Sequence, residues 1–132
     1  MATNGPFENE AAQEWLFQVS DASDESVLRA ALEPVAATPK DARLGAREAY
    51  VAVAAAEIVA TIAGEGGWEL PEYLRDWGES QQMDVGPLIP LARDAVARVS
   101  GEQSELKEQW ESSNDAQWPQ LMFALERRLG TA

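Results

Sequence analysis

The chain has 132 residues, 45% of them hydrophobic: enough for one domain with a proper core, and too apolar for a disordered segment. It contains neither cysteine nor histidine, which excludes disulfides, thiol nucleophiles, thiolate and imidazole metal ligands and the commonest general base. Its formal charge of −13 repels nucleic acid and anionic lipid and attracts basic proteins, so neither a nucleic-acid binder nor a membrane-surface protein is expected.

That charge is segregated. Residues 1–33 carry −6, 64–84 carry −5 and 102–115 carry −4, while 34–63 sum to zero and the remaining stretches are slightly basic. Residues 1–20 lack a basic start and hold Glu8, Glu10 and Glu14, so no signal peptide is read, and a cytoplasmic location is expected.

In chain order, residues 1–8 form an opening loop with Gly5 and Pro6. Asn9 suits an N-cap for a helix from Glu10 to about Val19, with Ala11, Ala12, Trp15, Leu16 and Val19 on one stripe. A polar cluster at 20–24 breaks the pattern. It returns at Val27, Leu28, Ala31, Leu32 and Val35, where Pro34 should kink the helix or end its regular part. Arg47 to Ala63 follows, alanine-rich and apolar nearly all round, with Arg47, Tyr50, Ala54, Glu57 and Thr61 on one narrow stripe. A helix of this kind is one that others pack against from several sides. Gly64 can terminate it.

Residues 64–86 are an irregular connection in which Pro71 can start a short helix over Glu72–Trp77. Leu88 to Val99 is a further amphipathic helix, with Pro87 or Pro90 in its first turn and Gly101 after its end. Ser104 can cap a short helix carrying Leu106 and Trp110. After a polar turn at 112–115, Trp118, Leu121, Met122, Leu125 and Leu129 mark a last helix stopped by Gly130. No period-two strand is read. The expected fold is a single all-α domain over residues 1–132, a helical bundle packed around the central alanine-rich helix.

The chemistry-bearing motifs are mostly missing: no phosphate-cradling glycine loop, no calcium-loop spacing and no serine nucleophile elbow. No cofactor, metal site or catalytic residue is therefore expected. The carboxylate pairs Glu10/Glu14, Glu105/Glu108 and Glu108/Glu111 have helical spacing that could hold Mg²⁺, but their polar surroundings read more simply as solvated faces. Glu57 is sharper, because mid-helix among alanines its carboxyl is either a raised-pKa acid or a buried acceptor of hydrogen bonds. Arg47, Tyr50 and the turn at 5–9 are the partners its position suggests. Trp68, Tyr73 and Trp77 lie among Glu69, Glu72 and Asp76, an aromatic and acidic mixture of the sort that builds protein interfaces. Folding of the loop onto the bundle is the plainer role for those rings. Trp15, Trp110 and Trp118 are expected in the core.

The opening Gly5-Pro6-Phe7-Glu8-Asn9-Glu10, the alanine-rich Glu48–Ala60 stretch with Glu57, and Ser104-Glu105-Leu106-Lys107-Glu108-Gln109-Trp110 together resemble the bacterial domain of unknown function family 4259. The likeness runs through the chain in order, with Ala2-Thr3-Asn4 in place of the usual Trp-Gly opening and Glu10 where Asp is usual. It implies a small single-domain bacterial protein and no activity. Two functions stay open. One is a non-enzymatic protein-binding module, for instance an immunity- or antitoxin-like inhibitor that masks a basic partner. The other is a small-ligand binder or carboxylate enzyme built on Glu57 with Tyr50 or Arg47, and beside both stands a purely structural or regulatory role as an oligomer subunit.

Overall fold

The computed structural model describes residues 10–21, 25–63, 85–112 and 117–131. Six α-helices run through them: α1 (Glu10–Asp21), α2 (Ser26–Ala37), α3 (Ala46–Ile62), α4 (Ile89–Val99), α5 (Glu105–Ser112) and α6 (Gln117–Thr131). A 3-10 turn, Gly86–Leu88, leads into α4. Among the described residues the sole β feature is an isolated parallel bridge between Leu44 and Ser104. The protein is an all-α bundle.

α3 is its axis. Ala46, Ala49 and the unbroken run Ala52–Ala60 are buried, and α1, α2, α4, α5 and α6 all pack against this one helix. Alanine makes that possible, because a side chain of one methyl lets helix backbones approach closely on every side. α2 and α4 pack on each other as well as on α3, and α6 closes the bundle against α3 and α4. Trp118, Leu121, Met122, Leu125 and Leu129 of α6 are all buried. Each such side chain contributes roughly 1.5–3 kcal/mol of apolar transfer before the entropy of ordering is charged against it. Trp15 and Trp110 are buried as the spacing predicts.

Local signals erred at several helix ends. α1 continues through Ser20 to Asp21. α2 runs through Pro34 to Ala37. Pro34 and Ala30 both lie on the exposed face, so the Ala30 carbonyl freed by the missing N–H faces solvent. Thr38 then closes the last turn, its hydroxyl donating to the Pro34 carbonyl at 2.7 Å. Gly130 lies inside α6 and does not stop it; burial of Leu129 beside it holds the last turn helical. The start of α4 matches the expectation, with Pro90 in its first turn and Pro87 in the 3-10 turn. Asn9, Gly64, the helix expected at 72–77 and the loop at 1–8 lie outside the described residues.

Candidate functional site

Two charged regions lie along α3, one at its N-terminal end and one in its second half.

At the N-terminal end, the segment Ser104–Trp110 is bound to the lead-in of α3 almost residue by residue. The Leu44 N–H donates to the Gln103 carbonyl at 2.8 Å, and the Glu105 N–H returns to the Leu44 carbonyl at 3.0 Å. Gln103 makes the turn before this bridge with a φ of 58°, a left-handed conformation that non-glycine residues rarely adopt. Ser104 caps α5, its hydroxyl accepting the Lys107 N–H at 3.3 Å. Glu105 reaches across and caps α3 instead of its own helix, accepting the Ala46 N–H at 2.9 Å. Glu108 takes Arg43 in a bidentate pair, both bonds 2.9 Å. That pair holds the Glu108 carboxyl below its ordinary range through the hydrogen bonds and charge of Arg43. Gln109 accepts from the Tyr50 hydroxyl at 3.3 Å. Trp110 stacks on Trp118 at 6.1 Å between centroids, and Trp118 meets Tyr50 edge-on at 5.5 Å.

On the other flank Arg47 pairs with Glu14 of α1, with Glu10 and Glu48 contributing to its field. Glu48 also folds back over the helix start, where a Cβ at Gly45 would collide with its carboxylate. Around Arg43 and Arg47 at this end of α3 stand Glu10, Glu14, Glu48, Glu105 and Glu108. The surface is acidic with its arginines already engaged, and among the described residues no group of three or more carboxylates is placed to hold a metal.

In the second half of α3, Glu57 is wholly buried and faces Arg128 of α6. Nη1 donates to Oε2 at 3.0 Å and Nη2 to Oε1 at 2.5 Å, a bidentate fork on a carboxylate. Burial pushes the Glu57 carboxyl above its ordinary value, and the hydrogen bonds and charge of Arg128 pull it back. Arg47 does not serve Glu57, contrary to the stripe reading: its side chain is 64% exposed and turned to α1. Tyr50, half-buried, turns to α5 and Trp118. A stripe spans many turns, and these two residues lie nearer the helix start, where other helices claim them. Trp68, Glu69, Glu72, Tyr73, Asp76 and Trp77 lie outside the described residues.

A third charge escaped the sequence reading. Arg98, nearly buried near the C-terminus of α4, donates to four backbone carbonyls: Thr38 (2.9 Å), Pro39 (3.0 Å), Ala42 (2.5 Å) and Glu102 (2.7 Å). It closes the ends of α2 and α4 together, satisfying carbonyls that a helix end leaves over. Beside it lies an open groove of about 690 Å³, floored by Ala36, Ala37, Ala97 and Gly101. A second, of about 580 Å³, lies between α4 and α6 and is lined by Pro90, Arg93, Asp94, Ala97 and Glu126. Glu57 lines neither groove.

An all-helical bundle with an acidic surface, one buried ion pair and no metal-ligating cluster among the described residues defines a small helical domain of the acidic kind. Residues 3–120 match the family described as Domain of unknown function (DUF4259), and the chain belongs to that family. The matched span contains Glu57 and ends before Arg128. No curated protein and no solved structure matches the chain.

Proposed function

We propose that this protein is a non-enzymatic binding module for a basic protein partner, a bacterial immunity- or antitoxin-like inhibitor being the form that suits it best. One observation carries the reading: the formal charge of −13, with Glu10, Glu14, Glu48, Glu105 and Glu108 gathered around Arg43 and Arg47 at the start of α3. Such a surface steers a cationic partner in and fixes its orientation. A cytoplasmic setting is part of the proposal. Trp68, Tyr73, Trp77 and the acids among them are offered as a second contact region on their sequence alone. The geometry lends no support to a ligand-binding or catalytic Glu57, because both of its oxygens are on Arg128 and none of its surface is exposed.

The test is affinity capture from host lysate with the full chain, followed by mass spectrometry. A basic protein retained at low salt, released as salt rises, and lost with Glu10→Gln and Glu111→Gln is the expected result. Retention of no protein at any ionic strength would sink the proposal.

A further inference from the structure

We propose that the exposed ridge of α4, with the groove on each side of it, is where a second copy of this chain docks, in a two-fold pair that seats Phe123 of each copy in the alanine-floored groove of the other. The proposal stands apart from the basic partner and from the carboxylates at the head of α3. Phe123 is the knob, on the outer side of α6 with 63% of its surface in solvent. An exposed phenylalanine by itself is ordinary; a groove on the neighbouring flank gives it a use. Phe123 lies one helical turn before Glu126, which lines the groove between α4 and α6. That groove shares Asp94 and Ala97 with the larger one, of about 690 Å³, at the ends of α2 and α4. The helix that carries the ring thus runs along one flank of α4, and the larger groove lies along the other. Ala36, Ala37, Ala97 and Gly101 floor that groove with nothing longer than a methyl, so an incoming ring has little to displace. A two-fold axis running along α4 exchanges the flanks. The α6 edge of each copy then falls on the groove of the other, and one operation buries both rings. The charges agree with this pairing. Arg127 lies over the Phe123 ring, 5.9 Å from its centroid, and arrives with it. Asp94 and Glu102 line the groove that receives that cation, and Lys40 on its rim suits Glu126. Repulsion between two chains of −13 is also weakest here, since residues 34–63 sum to zero and 85–101 and 116–132 are slightly basic.

Sedimentation velocity and light scattering on the full chain test this, over rising protein concentration at low and at high salt. The expected result is a mass that climbs from one chain to two and stops there. Salt should strengthen the pair, because it screens the repulsion between two acidic molecules. Capture of a basic partner weakens with salt, so the two proposals stand or fall separately. Phe123→Asp and Ala97→Arg, both at exposed positions, should keep the wild-type circular dichroism and weaken the pair by at least roughly tenfold. Phe17→Asp, at a comparably exposed aromatic on α1, should leave it intact. A chain that is monomeric at every concentration and salt would overturn the proposal. So would growth beyond two chains, a dimer that folded Phe123→Asp or folded Ala97→Arg retains, or one that Phe17→Asp abolishes.

Discussion

The start of α3 and its second half use the same two chemical groups, guanidinium and carboxylate, under opposite conditions. Arg43 and Arg47 meet Glu108 and Glu14 at the surface, with about half of each side chain in water. Arg128 meets Glu57 with the carboxylate sealed from solvent. Water screens the first set, so losing a partner there leaves a group that simply rehydrates. The second set has no such refuge. Arg98 stands between these cases: buried more deeply than Arg128, but held by neutral carbonyls instead of a countercharge. Surroundings, not pairing, decide what each contact is worth.

The comparison breaks most visibly at Arg128. Arg128→Met leaves the Glu57 carboxylate buried without its guanidinium, at a cost of about 3–5 kcal/mol at neutral pH, read from urea denaturation. The sign of its pH dependence follows from the raised Glu57 pKa. A carboxyl raised in the folded state keeps its stabilising contribution below the unfolded value, here 4.5, and loses it as pH climbs through the folded value. Without Arg128 that folded value moves further up. The deficit of the variant is therefore largest at neutral pH and shrinks towards pH 4.5; a deficit independent of pH would contradict a buried carboxylate.

Arg98→Ala is next. It strands up to four carbonyls at the joined ends of α2 and α4, a loss of roughly 2–3 kcal/mol. Because these acceptors carry no charge, that loss should stay flat from mildly acidic to neutral pH, which separates Arg98 from Arg128 in one titration. Least of all is Arg43→Ala, for which no shift of the denaturation midpoint is expected at high salt. At low salt it removes the depression of the Glu108 carboxyl. A depressed carboxyl contributes stability above its unfolded pKa and loses it as pH falls through the folded one. At low salt the variant should thus be slightly less stable at neutral pH, with a correspondingly shallower acid limb.

Much of this architecture was legible in the residues. The apolar circumference of α3 announced a helix surrounded by others, the stripes of α1, α5 and α6 named their buried tryptophans and leucines, and that of α4 named its buried Ala92, Ala95, Val96 and Val99. Glu57 stood out as the polar group in the core. Its partner did not, because Arg128 lies 71 residues away, and periodicity tells which face a residue is on, never which helix arrives there. A partial signal existed. Arg128 sits three residues after Leu125 and seven after Leu121, at the edge of its apolar stripe; Arg98 stands in the same relation to Ala95 and Leu91. A cation on that edge is within reach of the interior. Pro34 and Gly130 misled for the reverse reason, since local breakers were outweighed by the burial of Val35 and Leu129 beside them.

The bridge between Leu44 and Ser104 also bears on time. Its two hydrogen bonds join segments some sixty residues apart in sequence, so the chain must close a long loop before either forms. That closure is entropically costly, and contacts of this separation assemble after the local helices and their first packing. Interactions made late are absent from the folding transition state. Weakening the bridge with Glu105→Pro, which removes the N–H donated to the Leu44 carbonyl at a helix position that tolerates proline, should hasten unfolding while leaving the folding rate almost untouched, a result stopped-flow measurements of both limbs would read directly. The clasp at the head of α3 is thus a brake on opening, set after the bundle has already found its shape.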